Sequence, residues 1–228
     1  TACMSTRLHF IVEGQTEETF VNRVLIPHLA SFSVWGDVRC VATGRRHGIR
    51  HRGGLQNYAK VKNDITLWMK EDQSAEVYFT TMFDLYALPN DFPGYDDACN
   101  STNSPYQRVN LLEEGMQLDI QAPRFLPNIQ LHEFEALLLS DPQKLDWEYL
   151  DHEAPIARLV RMVRDFESPE LIDDGYETAP SRRIGKEIPE YMEMKASVGP
   201  LVAEKIGLAT LRSKCRHFDE WLSKLEHL

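Results

Sequence analysis

Long apolar segments are missing from this sequence. No run of about 18 apolar residues occurs, which is close to the minimum for a helix that crosses a bilayer. The first residues also lack the basic-then-apolar layout of a secretory signal. We therefore expect no membrane-spanning helix, and we expect a cytoplasmic location.

Cysteines are few, and their spacing excludes the common zinc sites. The four cysteines, at positions 3, 40, 99 and 215, form no CxxC pair and no Cys/His ligand pattern. Such spacing, in a chain without a secretory signal, is typical of reduced thiols in the cytoplasm. A nucleotide-binding GxxxxGK[ST] loop is also missing, so an ATPase that acts with this protein must be another polypeptide.

Basic residues are outnumbered by acidic ones. The 228 residues include 25 Lys and Arg against 35 Asp and Glu, which gives a formal net charge of −10. This balance is unfavourable for general nucleic-acid binding, because phosphates attract cationic side chains. One segment, RRHGIRHR at 45–52, departs from it. We predict that its arginines bind phosphate, with a solvated or partner-facing surface as the alternative: Arg45, Arg46, Arg50 and Arg52.

Strand and helix patterns alternate through about the first 140 residues. Short apolar runs predict strands at 8–12, 33–42, 76–83 and 124–131. Helical periodicity predicts helices between them, the first with Thr16 as its N-cap and the others at 55–70 and 106–120. This alternation predicts an α/β fold in which a mainly parallel sheet of about four strands is flanked by helices.

The rest of the chain is predicted to be helical and to cover this sheet. We expect one domain over residues 1–228, with its core at about 5–140 and a helical C-terminal part at about 141–228. Within the helical part, the residue pattern predicts a loop at 176–183 and closing helices at 200–211 and 215–225.

Carboxylates stand where three of the predicted strands end. Glu13, Asp84 and Glu133 follow strands, and Glu17 lies one helical turn beyond Glu13. The carboxyl ends of parallel strands meet at one edge of a sheet, where open α/β sheets bind ligands. Like charges that converge there repel each other unless a cation joins them, and oxygen ligands favour Mg²⁺ or Mn²⁺. The alternative is structural, because glutamates are favoured in first helical turns and aspartates at strand ends.

Two residues near Glu133 also have side chains that can take part in chemistry. His132 is either a proton-transfer group or a hydrogen-bonded core residue. Glu135 is two residues from Glu133, so on a helix it is predicted to point to a different face.

Several segments resemble Toprim-like proteins, particularly the OLD-type nuclease branch. FIVEGQTEETFV at 10–21 resembles the opening motif of these proteins, and FDLYALPNDFPG at 83–94 resembles their aspartate motif. LHEFEALLLSD at 131–141, with KASVGPLVAEKIG and LRSKCRHFDEWL near the end, is similar to the Toprim-related family DUF4276. The resemblance spans nearly the whole chain and implies a Toprim-like, Rossmann-like fold.

The resemblance also implies metal ligands. Glu13 matches a ligand or general base, Glu17 the second glutamate of an EGxxE pattern, and Asp84 the first aspartate of a DxD motif. Tyr86 stands where the second aspartate is expected. The resemblance therefore implies that one ligand is missing or is supplied elsewhere, by Glu133 or by the residue two positions after it.

A late lysine stabilises phosphate charge in OLD-type enzymes. Lys195 matches it best, because Gly199 and Ala203 follow it, and Lys186 is the alternative. Together the matches imply a nuclease that uses Mg²⁺ or Mn²⁺ on DNA or RNA. They further imply a separate ABC-type or AAA-type ATPase partner and a role as effector in bacterial defence against phage.

Two other functions stay open. The first is a catalytically decayed Toprim scaffold that binds an ATPase or nucleic acid, which Tyr86 and the net charge of −10 favour. The second is a nucleotide-processing phosphatase, which would need a small closed phosphate pocket. Retention of the full VEGQTEE stretch favours the nuclease.

Overall fold

A computed structural model describes residues 5–41, 55, 57–100, 102–172, 175 and 177–228. The basic segment lies outside these residues, so the role of Arg45, Arg46, Arg50 and Arg52 stays a prediction. Across the described ranges, no helix has both the length and the apolar character needed to span a membrane.

A five-stranded parallel sheet forms the centre of the described chain. Its strands are β1 (Thr6–Val12), β2 (Val34–Cys40), β3 (Val77–Asp84), β4 (Phe125–Leu126) and β5 (Ile129–Gln130). β1 lies between β2 and β3, with Phe10 opposite Val38 on one side and Thr80 on the other. Both β4 and β5 pair with β3. The predicted fourth strand is thus split, because Pro127 between its halves has no N–H for the ladder.

Helices fill the connections between the strands. α1 (Gln15–Phe20) continues through a π-helical segment (Val21–Leu25) into α2 (Ile26–Ala30), and the later helices of this half are α3 (Tyr58–Glu71), α4 (Tyr95–Ala98) and α5 (Pro105–Ile120). The C-terminal part holds α6 (Glu135–Leu138), α7 (Glu153–Val163), α8 (Pro180–Glu187), α9 (Tyr191–Ile206), α10 (Leu208–Lys214) and α11 (Arg216–Glu226). A mainly parallel sheet flanked by helices, with a helical C-terminal region, confirms the predicted fold class.

Each face of the sheet has its own apolar core, as the two-residue period of a strand requires. On one face, Phe10 and Met82 pack in a cluster with residues of α1, α2, α9 and α11. On the other face, Ile11 and Phe83 pack in a cluster with residues of α3 and α5. The strands are therefore buried on both sides, which explains why they read as short apolar runs.

Two predictions in the C-terminal part were wrong. The predicted loop at 176–183 overlaps α8, which begins at Pro180 because proline suits the first turn of a helix. The helix predicted to begin at Pro200 begins at Tyr191 and contains this proline in its interior. The usual cost of an interior proline had favoured a helix start there.

A buried glutamate holds the helical part against the sheet layer. Glu170 is 0% exposed, and its two oxygens accept hydrogen bonds of 3.0 Å from the His217 and Phe218 N–H groups in the first turn of α11. The Tyr106 hydroxyl on α5 donates to the same carboxylate at 3.1 Å. Glu170 therefore satisfies N–H groups that α11 cannot satisfy itself.

We expect Glu170→Gln to lower the free energy of unfolding by about 1–3 kcal/mol. The glutamine keeps the size of the side chain, but its NH₂ group faces a donor where an oxygen accepted before. Urea unfolding of the two proteins measures the difference. Glu220→Gln is the control, because Glu220 is half-exposed in α11 and forms a surface ion pair with the exposed Arg216. Equal stability of the Glu170→Gln variant and the wild type would contradict the assignment.

Candidate metal centre

The strand order places a crevice at the carboxyl ends of β1 and β3. The chain leaves β1 for β2 on one side and returns to β3 on the other side. The connecting helices α2 and α3 consequently pack on opposite faces of the sheet. In open α/β sheets, ligands bind where neighbouring strands diverge in this way.

Glu13 and Asp84 flank this crevice. Glu13 directly follows β1, and Asp84 is the last residue of β3. The Asp84 backbone N–H donates to Glu13 Oε2 at 3.4 Å. The expectation that these two residues end neighbouring strands is confirmed.

Glu17 turns back over the same strand end. Gly14, not Thr16 as predicted, is the N-cap of α1. The Gly14 N–H donates to Glu17 Oε2 at 3.0 Å, so the glutamate itself caps the helix that carries it. Its side chain is 5% exposed. The capping contact therefore holds a buried carboxylate beside Glu13.

Burial and mutual repulsion make these carboxylates costly to ionise. Burial raises the pKa of Glu17 to about 8, and the Glu13 charge contributes. Burial also raises the pKa of Asp84 well above its ordinary value, and the Glu17 and Glu13 charges add to this effect. Asp84 Oδ1 is buried and has no hydrogen-bond partner among the described residues. A cation in the crevice would reduce the repulsion between the carboxylates and would give Asp84 Oδ1 a partner.

Glu133 and Glu135 approach the crevice from the turn between β5 and α6. Glu133 precedes α6 rather than lying in it, so the helical angle behind our prediction of different faces does not apply. The preceding residue, His132, has a φ of +61°, which turns the backbone sharply here. Glu133 Oε1 accepts from the Ser181 N–H at 2.5 Å, and Glu135 Oε1 accepts from the Tyr191 hydroxyl at 2.9 Å. Both glutamates are buried.

Lys195 in α9 is the lysine that the structure brings to the carboxylates. Its Nζ lies 3.0 Å from Glu135 Oε1 and 3.9 Å from Glu133 Oε2. Burial acts to lower the pKa of Lys195, but the two carboxylates outweigh this effect and raise it. The sequence alternative, Lys186, is exposed on α8.

Tyr86 offers no ligand oxygen of the kind that an aspartate would supply. Its side chain is 49% exposed, and its backbone N–H donates to the His132 carbonyl at 2.8 Å. The position expected for the second aspartate of a DxD motif thus bears a half-exposed phenol. Glu135 and Glu133 are the other carboxylates whose charges act on Asp84, and whether either replaces the missing aspartate stays a prediction.

The donor set fits a hard divalent cation, although it is not closed around one point. In the parts of the chain described above, no group of three or more His, Cys, Asp or Glu side chains has the arrangement of a metal site. The chemistry fits, because all candidate donors are oxygens and Asp84 Oδ1 is buried without a partner. Mg²⁺ or Mn²⁺ binding would require these side chains to close on the ion.

Comparison with known proteins places the sequence in a family. Residues 12–226 match the family described as "Domain of unknown function (DUF4276)". The chain belongs to the DUF4276 family. No curated protein matches it.

Two solved structures are similar to this DUF4276 chain, both of the C-terminal region of the Xanthomonas campestris pv. campestris OLD protein. The structure phased with iodine is 16% identical, with a TM-score of 0.41, and the match covers 98% of each chain. The structure phased with platinum is 15% identical, with a TM-score of 0.41, and the match covers 97% of this chain and 96% of that chain.

Sequence reasoning missed two groups that contact the DUF4276 carboxylates, Ser181 and Tyr191. The Ser181 contact is made by a backbone N–H and leaves no signal in the sequence. Tyr191 lies four residues before Lys195, a spacing that places both on one face of a helix. That signal was lost because the helix was predicted to begin only at Pro200.

We expect the metal-free DUF4276 protein to lose stability as the pH rises from about 5 to 8. The pKa of Glu17 is about 8 in the folded state, above its ordinary value of 4.5, so between these values the folded state binds more protons than the unfolded state. Stability is therefore highest below this window and falls through it, by on the order of 3 kcal/mol. Thermal unfolding in EDTA at both pH values measures the loss, and Glu17→Gln should reduce it. A pH dependence identical in both proteins would contradict the assignment.

Proposed function

We propose that this protein is a metal-dependent nuclease that hydrolyses phosphodiester bonds of DNA or RNA. The observation that carries the proposal is the buried, unpartnered Asp84 Oδ1 beside Glu13 and Glu17 at the strand ends. Such a concentration of buried carboxylates is costly without a cation. The resemblance of the surrounding segments to OLD-type Toprim nucleases supports the same function.

The carboxylates would hold Mg²⁺ or Mn²⁺, with Glu13, Glu17 and Asp84 at one position and Glu133 or Glu135 available for a second. When bound, the ions supply charge neutralisation at the phosphate and lower the pKa of bound water. Glu13 would either ligate the ion or accept the proton of the attacking water. The Lys195 ammonium provides a positive charge for a phosphate oxygen.

The basic segment would bind the nucleic-acid backbone. We expect its quadruple alanine variant (Arg45, Arg46, Arg50 and Arg52) to bind nucleic acid more weakly, because fewer counterions are released. The slope of log affinity against log salt should decrease in magnitude by about 3–4 for duplex DNA. Fluorescence anisotropy over a salt series measures this slope. The control variant replaces three exposed arginines in or next to α7: Arg158, Arg161 and Arg164. An unchanged slope in the quadruple variant would assign the segment to another role.

The cellular setting is proposed from the resemblance alone. We propose a single cytoplasmic Toprim-like domain that works with a separate ABC-type or AAA-type ATPase. In this setting the nuclease is the effector of a bacterial system that defends against phage.

A decayed scaffold is the second candidate function, and one observation favours it. Lys195 already neutralises part of the carboxylate cluster, with its Nζ 3.0 Å from Glu135 Oε1. A lysine in this place can substitute for a cation. The scaffold would bind an ATPase or nucleic acid without cleaving anything.

A cleavage assay distinguishes the two candidates. Purified protein is incubated with plasmid, single-stranded DNA and tRNA in Mg²⁺, in Mn²⁺ or in EDTA. The nuclease predicts cleavage that requires the metal and disappears in Glu13→Ala. Glu114→Ala is the control, because Glu114 is exposed on α5. Equal cleavage by wild type and Glu13→Ala, or no cleavage of any substrate, would contradict the proposed function.

A further inference from the structure

We infer that Tyr191 is a positioning residue that fixes the Glu135 carboxylate for the cation of the candidate centre. This inference rests on the proposed function and extends it to a residue beyond the carboxylates and the lysine. Tyr191 is 0% exposed, and its hydroxyl donates to Glu135 Oε1 at 2.9 Å. The same oxygen lies 3.0 Å from Lys195 Nζ.

Glu135 needs outside contacts to hold its orientation. It is the first residue of α6, a helix of only four residues, and its side chain is 2% exposed. Tyr191 and Lys195 lie one turn apart in the much longer α9 and approach the same oxygen. Two contacts from a sixteen-residue helix thereby fix a carboxylate that its own short helix cannot fix.

The space for the hydroxyl is built into the packing of α9. A Cβ atom on Gly199, two turns after Tyr191, would lie 3.2 Å from the Tyr191 hydroxyl oxygen and 3.3 Å from Phe134 Cε1. Glycine at this position therefore lets the phenol reach the carboxylate beside Phe134. Burial favours a hydrogen-bond partner for a phenol, and here that partner is Glu135.

Hydrogen bonds to the carboxylates and imidazoles that bind metals orient these groups. Loss of such a hydrogen bond commonly weakens metal affinity by about 10–100-fold. The Lys195 ammonium and a cation compete for the negative charge of Glu135, whereas the neutral Tyr191 hydroxyl does not. Tyr191 can thus keep its contact while the ion is bound. This distinguishes a positioning role for Tyr191 from the charge role of Lys195.

The test measures Mn²⁺ affinity of the full chain by titration calorimetry, without nucleic acid. We expect Tyr191→Phe, which removes only the hydroxyl, to weaken Mn²⁺ binding by about 10–100-fold. The matched control is Tyr106→Phe, which removes a hydroxyl that donates at 3.1 Å to the buried Glu170 away from the centre. It should lose stability without losing Mn²⁺ affinity.

The outcomes separate this inference from the proposed function. Equal Mn²⁺ affinity of the wild type and Tyr191→Phe would overturn the positioning role and would leave the nuclease proposal unaffected. A wild type that binds no Mn²⁺ would overturn both. If Tyr191→Phe does not fold, Gly199→Ala displaces the hydroxyl while keeping it, and we expect about tenfold weaker Mn²⁺ binding. Wild-type affinity in that variant would likewise overturn the inference.

Discussion

We expect Asp84→Asn to lower metal-dependent cleavage at least about 100-fold, because a ligand charge worth several kcal/mol of rate acceleration is removed. The same substitution should raise the midpoint of thermal unfolding of the metal-free protein at pH 8. Burial and the nearby Glu17 and Glu13 charges raise the pKa of Asp84, so a neutral amide relieves a repulsion that the folded state contains. Opposite changes in activity and stability are characteristic of a group retained for function.

Asp97→Asn is the control for this experiment. Asp97 is exposed on α4, outside the carboxylate crevice, and should change neither cleavage nor stability appreciably. If Asp84→Asn lowers both cleavage and stability, Asp84 has a structural role in place of the metal-binding role proposed for it.

The second large effect concerns Lys195 and has opposite signs for binding and cleavage. We expect Lys195→Met to lower cleavage by at least about 100-fold, because positive charge near the phosphate is lost. Its affinity for Mn²⁺ should rise about tenfold or more, because an ammonium charge near two carboxylates no longer repels the ion. Metal titration and cleavage assays on the same preparations measure both effects.

Lys186→Met is the matched control, because Lys186 is the exposed lysine that the sequence left as the alternative. It should leave Mn²⁺ affinity and cleavage near their wild-type values. Weaker Mn²⁺ binding by Lys195→Met would show that the lysine supports the carboxylates structurally, which contradicts the competition between the two cations.

The part of the site carried by β1 and β3 could be predicted from the sequence. Buried strands appear in the sequence as clear apolar runs, so the positions of Glu13 and Asp84 at strand ends could be predicted. Parallel topology then brings such ends together at one edge. Glu17 followed from its place one turn along the next helix, although the cap proved to be Gly14.

The part carried by α6 and α9 could not be predicted in the same way. Glu135 and Lys195 are 60 positions apart, and their contact depends on how the C-terminal helices pack on the sheet. The sharp turn at His132, where φ is +61°, places Glu133 before the helix. The angle between helical residues therefore does not predict the directions of Glu133 and Glu135. Tyr191 was missed for a local reason, because Pro200 lies inside a helix where proline is usually excluded.

The measurement that tests the metal centre most directly is anomalous diffraction from a crystal soaked in saturating Mn²⁺. We expect an anomalous peak coordinated by Glu13 and Asp84, with Glu17 in reach and Lys195 moved away from Glu135. An empty strand edge, with the carboxylates still held by Lys195 and other cationic side chains, would contradict the metal centre and favour the scaffold.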